Sequence, residues 1–151
     1  MPVAGLDEIR TKVGTEIGVS PWIEIAQQHI DTFADVTGDH QFIHVDPAAA
    51  AQTSFGGTVA HGFLTLSLLS QMAASVMYVP ASLRMAVNYG FDKVRFIAPV
   101  RSGKRVRGRF TLASMEEKKP GQWQFVHQVI VEIEGEERPA LQADWIGLIY
   151  V

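Results

Sequence analysis

Residues 38–46 read GDHQFIHVD and place Asp39, His40, His44 and Asp46 within one short stretch. Carboxylates and imidazoles in that density can do three things. They can hold a metal ion, work as an acid/base pair on water, or make an ordinary polar turn.

For a metal, Asp39, His40, His44, Asp46 and the nearby His61 supply hard and borderline ligands. His40 and His44 share a face only on a helix, as in the zinc HExxH arrangement. Gly38 and Pro47 bracket the stretch and argue for a loop, and no glutamate follows His40. The expectation is therefore no metal.

For acid/base work, a loop excursion can set Asp39 beside His44. A carboxylate next to an imidazole fixes its tautomer, and the two can activate one water between them. Phe42 and Ile43 are expected to bury the middle of the loop, and burial raises an aspartate's pKa towards use as an acid. On spacing alone, Gly-Asp-His also suits a plain helix exit, and His44 also suits a satisfied core histidine.

The next stretch, FGGTVAHGF, passes from a glycine turn into a long apolar pattern. A helix beginning at His61-Gly62 presents free N–H groups and a partial positive charge. The Gly62 amide there can stabilise an oxyanion such as that of a thioester carbonyl. A glycine that only permits close helix–sheet packing explains the residue equally well. Ser70, two turns further on, is a candidate hydrogen bonder or a serine bonded to its own helix.

These residues need elements to position them. His61 to Met77 has Leu64, Leu68, Leu69, Met72, Ala73 and Val76 on a broad apolar arc, with Phe63, Ser67, Ser70, Gln71 and Ala74 on the narrower side, so one long buried helix is expected. Leu6 to Val13 reads as a short helix and Trp22 to Ile25 as a strand. Gln27 to Thr37 has helical spacing and ends at Gly38, and Pro47 opens a helical turn. Met85–Tyr89, Lys93–Ile97, Lys104–Met115, Gln122–Ile133 and Ala140–Tyr150 read as strands, with Gly90-Phe91-Asp92 as a turn. Short connections between successive strands argue for an antiparallel sheet, and the whole reads as one α+β domain over 1–151 with the sheet wrapped on the helix.

Composition narrows the function. Hydrophobic residues make up 47% and charged residues 19%, enough for a sizeable core. Absence of cysteine removes disulfides, thiolate metal sites and a cysteine nucleophile. The opening MPVAGLDEIR shows no basic region followed by an apolar run, so no secretory leader is read there and a cytoplasmic location is expected. Val59 to Met77 carries His61, Gly62, Gln71 and serines without basic flanks, and reads as a helix in a soluble core rather than a membrane span. Net charge is −3, yet Lys93 to Arg109 holds seven basic residues and no acid. This is either a solvated strand face, since Arg105, Arg107 and Arg109 alternate with Val106, Gly108 and Phe110, or a docking surface for a ligand's phosphates. The acidic balance and lack of interleaved aromatics argue against nucleic acid.

FADVTGDHQFIHVDP followed by FGGTVAHGFLTLSLLS resembles the MaoC-like dehydratase family, with its (R)-specific enoyl-CoA hydratases and nodulation protein N-like group. The later NYGFDKVRFIAPVRSG resembles the same family, so the likeness spans most of the chain. The resemblance implies a hot-dog fold, a long central helix wrapped by an antiparallel β-sheet, in a homodimer that binds acyl-CoA near the subunit interface. Asp39 and His44 match the family's catalytic pair, Gly62 its backbone oxyanion donor and Ser70 a pocket serine. Gln41-Phe42 stands where many members have Asn-Pro, which bears on loop shape and substrate preference.

The resulting expectation is an (R)-specific enoyl-CoA hydratase, adding water to trans-2-enoyl thioesters of CoA or acyl carrier protein or running in reverse, with no metal or redox cofactor. Gln41, Phe42, His61, Lys93, Arg95 and Arg105 are weaker candidates for contacting substrate, the basic ones through the CoA phosphates. A hot-dog acyl-CoA thioesterase and a non-catalytic acyl-thioester binder are the alternatives.

Overall fold

Alternation of buried and more exposed positions marks the largest elements. The computed structural model describes residues 1–151, and in it β6 (Arg105–Lys119), β7 (Gln122–Ile133) and β8 (Leu141–Tyr150) lie side by side in antiparallel register. Val106, Phe110 and Leu112 of β6 point to one face, with Trp123, Phe125, Val129, Val131 and Ile133 of β7 and Leu141, Ala143, Trp145 and Ile149 of β8, and all are buried. The other face of β6 carries Arg105, Arg107 and Arg109. Arg105 pairs with Glu134, Arg107 with Glu132 at 2.6 Å, and Arg109 with Glu16 at 2.7 Å and Glu132 at 3.2 Å. For these three arginines of the basic stretch, the ion-paired strand face is the reading seen here. Hydrogen bonds from these arginines hold the Glu132 and Glu134 carboxyls below their usual range.

The sheet runs β2–β6–β7–β8–β5, where β2 is Glu16–Val19 and β5 is Met85–Phe96, and the short β3 (Ile23–Glu24) also pairs with β6. Pairing is antiparallel throughout this sheet. Two further two-residue strands, β1 (Val3–Ala4) and β4 (Val79–Pro80), pair in parallel, and α1 (Leu6–Arg10) follows β1. β2 escaped sequence reading because four residues interrupted by Gly18 carry too little alternation. The turn expected at Gly90-Phe91-Asp92 is absent. β5 runs straight through it and absorbs the irregularity in register shifts at Asn88/Gly90 and Asp92/Arg95. Lys93 takes the left-handed conformation there, φ 54°, and its ammonium reaches Asp144 at 2.9 Å. Asp92 and Asp144 sit directly opposite each other, so the lysine relieves a like-charge pair that would otherwise weaken the strand.

The apolar run after His61 lies across the inner face of the sheet. It forms α5 (Gly62–Ser67) and α6 (Leu69–Ala73), divided where Leu68 tightens one turn at ψ −12°. Backbone hydrogen bonds Leu68 N→Leu64 O and Met72 N→Leu68 O carry the path across. Leu64, Leu69, Met72, Ala73 and Val76 pack on Val106, Phe110, Val129, Val131, Ile133 and Trp145 as the main core. This is the hot-dog arrangement, with its helix in two segments. The narrow side of the run is solvent-exposed in the single chain. No helix is long and apolar enough to cross a membrane.

One inward position of β7 breaks the apolar stripe: His127, between Phe125 and Val129, is 3% exposed. Burial pushes its imidazole down to about 4 from an ordinary 6.5. Between those values the unfolded chain binds the proton that the folded one refuses, so stability rises with pH across that window. The contribution is neutral above pH 6.5 and destabilises progressively as pH falls towards 4, by about 3 kcal/mol in all. His127→Leu is expected to remove most of this slope. Urea unfolding at pH 7, 5.5 and 4.5 checks it, and a slope equal to that of wild type would contradict the assignment.

Candidate active site

The site begins where a helix is stopped. α2 (Gln27–Thr37) ends at Gly38, whose φ of 76° is a left-handed conformation that glycine adopts without a Cβ penalty. Asp39 follows, and its carboxylate accepts from the Gln41 amide at 3.3 Å. The chain then makes one helical turn, α3 (Phe42–Val45), and Pro47 opens α4 (Pro47–Ala50), with the Asp46 carboxylate capping the Ala49 amide at 2.9 Å. The expected plain loop over 38–47 thus contains a helical turn too short for sequence periodicity to reveal. His40 stays outside, bonded to Asp35 at 2.9 Å, and that bond raises its pKa.

The turn aims His44 inward, where the ring is 7% exposed. Its Nδ1 lies 2.6 Å from the Val59 carbonyl oxygen. A carbonyl only accepts, so Nδ1 carries the proton and Nε2 is left with a free lone pair. His61 lies flat against His44, ring centroids 3.8 Å apart. Its Nε2 donates to the Asp39 backbone carbonyl at 2.9 Å and stands 4.0 Å from the Asp39 carboxylate. His61 Nδ1 is buried without a partner. Asp39, His44 and His61 bring their ligand-capable atoms within 4.8 Å of one another, so the cluster could also hold a cation through one oxygen and two imidazole nitrogens.

Gly62 opens α5 beside this cluster, and no backbone carbonyl accepts from its N–H. A Cβ built on Gly62 would come within 2.8 Å of the Phe96 ring, so the close-packing explanation of this glycine holds alongside its free amide. A cleft of about 240 Å³ lies against Gly62, lined by Ala60, Thr65, Phe96 and Pro99 among others.

Several candidates are placed differently from expectation. Phe42 is largely exposed and does not seal the turn, and the Asp39 side chain is 53% exposed, so neither the dry pocket nor the buried aspartate is present in the single chain. Gln41 is exposed at the start of α3. His61 is no surface contact for a ligand, being 3% exposed and tied to Asp39. Lys93 and Arg105 are engaged with Asp144 and Glu134 and are not free for phosphates. Arg95 donates only to the Val94 carbonyl and pairs with no carboxylate. Ser70 is exposed in α6 and lines a different cleft, with His127 and Trp145.

Sequence reasoning missed the residues that hold the turn in place. Gln27 donates to the His44 carbonyl at 2.7 Å and accepts from the Thr58 hydroxyl at 2.6 Å, joining α2, α3 and the approach to α5. A glutamine opening a helix carries no signal of such a role. Gln27→Leu leaves the His44 carbonyl and the Thr58 hydroxyl without these partners. It is expected to cost about 1–3 kcal/mol, with the exposed neighbour Gln28→Leu as a near-neutral control. Thermal and urea unfolding check this, and equal stability of the two variants would refute it.

Comparison with known proteins adds to this geometry. The profile of a family described as MaoC like domain matches residues 8–133. The chain is 52% identical over 144 residues to nodulation protein N of Rhizobium meliloti, covering 95% of this chain and 89% of that one. It is 44% identical over 139 residues to 3-hydroxyacyl-thioester dehydratase Z of Mycobacterium tuberculosis, covering 92% and 91%. Among solved structures, a monoamine oxidase regulatory protein from Archaeoglobus superposes with a TM-score of 0.82 at 24% identity, covering 99% of this chain and 96% of that one, a likeness of fold.

Proposed function

The chain belongs to the MaoC-like dehydratase family and is an enzyme of its hydratase/dehydratase kind, and we propose that it is an (R)-specific hydratase of trans-2-enoyl thioesters, run as hydration or as the reverse dehydration. The observation that carries this reading is the bare Nε2 of His44. Its tautomer is set by the 2.6 Å bond to Val59, with the Asp39 carboxylate close by.

In hydration, the thioester carbonyl lies against the Gly62 amide, which stabilises the enolate oxygen as water adds at C3. His44 Nε2 takes a proton from that water as the C3–O bond forms. Asp39, protonated, orients the water and delivers its proton to C2. The proton on His44 then returns to Asp39, so water is added with no net change in the enzyme. Dehydration runs the same steps backwards. A metal is not required, and EDTA is expected to leave the rate unchanged.

For the carrier, CoA or acyl carrier protein, Arg95 is the basic candidate left without an acidic partner. The substrate's other wall is assigned to a second copy of the chain. β5 is a terminal strand of the sheet, and Met85, Val87 and Tyr89 on it, with Phe63 of α5, expose apolar surface that a homodimer would cover. Light scattering on the purified protein is expected to give a dimer mass.

The decisive test is loss of enoyl absorbance on mixing crotonyl-CoA or dodecenoyl-CoA with wild type, Asp39→Asn and His44→Gln. Each substitution is expected to lower turnover by about 10²–10⁴-fold with unchanged folding, and wild type is expected to give the (R)-3-hydroxy product. A near-wild-type rate in either variant would remove the assignment. Release of free thiol instead would indicate a thioesterase, and binding without turnover a carrier or sensor.

A further inference from the structure

The core is two clusters with a seam between them. The larger lies under α5 and α6 and includes Val129 and Trp145. The smaller lies under α1 and includes Leu112, Phe125 and Ile149. His127 sits on the seam: along β7 it separates Phe125 from Val129, and it stands opposite Leu112 on β6 and Trp145 on β8. A cleft of about 230 Å³ opens at this seam, lined by Ser70, Asn88, His127 and Trp145 together with apolar residues such as Leu83 and Val87.

Two of the residues lining this cleft each carry a buried polar atom without a partner. His127 Nδ1 and Trp145 Nε1 are both buried and unbonded, and they belong to residues directly paired across β7 and β8. Buried polar atoms in folded proteins are nearly always satisfied. Two cross-strand neighbours left unsatisfied at one cavity are matched to a partner that enters it. The indole only donates, and a neutral imidazole donates at one nitrogen and accepts at the other. A ketone or hydroxyl oxygen answers both, while the rest of the lining suits methylene groups.

The cleft extends along the helix in the direction of Gly62. A second hollow, lined by Ser67, Ser70, Asn88, Phe91 and Trp145, shares Ser70, Asn88 and Trp145 with the first. Both open on the exposed side of α5 and α6, and Ser70 lies about 12 Å from Gly62 along the helical path at 1.5 Å per residue. That distance is within reach of a medium-length acyl chain whose thioester lies at Gly62.

We propose that this cleft receives the distal part of the acyl chain and selects tails carrying a ketone or hydroxyl oxygen, with His127 and Trp145 as the specificity-determining residues. The inference rests on the acyl-thioester reading above. Burial keeps the His127 ring uncharged down to about pH 4, so at this pair the favoured oxygen is a neutral one, while the Met1 ammonium, also at this cleft, is bonded to the Ala74 carbonyl at 2.6 Å.

The test is calorimetric binding of saturated acyl-CoAs, which cannot be hydrated. Dodecanoyl-CoA is compared with derivatives carrying one ketone at successive carbons, using wild type, His127→Phe and Trp145→Phe. At one ketone position wild type is expected to bind at least ten-fold tighter than it binds the plain chain. Both variants are expected to keep the affinity for the plain chain and lose that gain. Equal or weaker binding at every ketone position would overturn the proposal and leave the seam to a trapped water. So would a gain that survives both substitutions. Plain and keto chains binding alike, with enoyl-CoA still hydrated, would remove only this inference. No binding of any chain and no hydration would remove the acyl-thioester reading with it.

Discussion

The site depends on one hydrogen bond, from His44 Nδ1 to the Val59 carbonyl, made in a buried setting at 2.6 Å. It fixes the ring's position and also decides which nitrogen is left basic. The carbonyl that sets the tautomer is itself held on both sides. Val59 N donates to Ile43 O, Ala60 N donates to Val100 O, Ser102 N donates to Thr58 O, and the Thr58 hydroxyl donates to Gln27. Residues 58–61 are therefore strung between the α3 turn and the 100–102 segment before α5 begins. The Gly62 amide inherits its place from the strand-like segment that orients His44. The proposed base and oxyanion donor, positioned by the same few residues, keep their relative geometry without a rigid loop between them.

What the sequence revealed follows from how local each signal was. The α2 helix and its stop at Gly38 were legible because helical spacing and a left-handed glycine are written within a dozen residues. The long strands β6 and β7 were legible because alternation over many residues has no other explanation. Asp39, His44 and Gly62 were brought forward by their spacing and by a family resemblance, and the structure sets Asp39 and His44 together beside the start of α5. The turn that presents His44 was not legible, because four helical residues are fewer than the period needed to detect them. Nor was the fate of Lys93 and Arg105, which is decided by Asp144 and Glu134 on other strands. The bulged continuity of β5 escaped because Gly90 and Asp92 are turn residues locally, and only pairing with β8 keeps the strand extended through them.

Charge and exposure divide the molecule into a closed half and an open one. On the outer face of β6 the arginines are neutralised by glutamates from β2, β7 and the loop after it, so that surface has no unanswered charge to attract a ligand. Another part of the surface exposes Asp39, Phe42, Phe63 and residues of β5, and it carries the free Gly62 amide. An aspartate used as an acid in contact with bulk water gains little from its surroundings, whereas one enclosed by a second surface gains the low dielectric that strengthens every polar contact around it. A homodimer covering this part therefore has a chemical consequence beyond stability: it would convert an exposed cluster into an enclosed one.

Two buried histidines show how a partner decides what a residue can do. His44 and His127 are nearly equally sequestered, His44 stacked on His61 and His127 within an apolar stripe. His44 has a carbonyl on one nitrogen, so its ring is oriented, its tautomer is fixed and its other nitrogen is free for chemistry. His127 has no partner at Nδ1, and its burial works only against the charged form. A ring in that position serves neither as a base near neutral pH nor as a stabilising core residue, since leucine would fill the same stripe at lower cost. Its place on the inner face of β7, opposite an equally unpartnered indole, suits the proposed role, which begins when a neutral oxygen arrives between them.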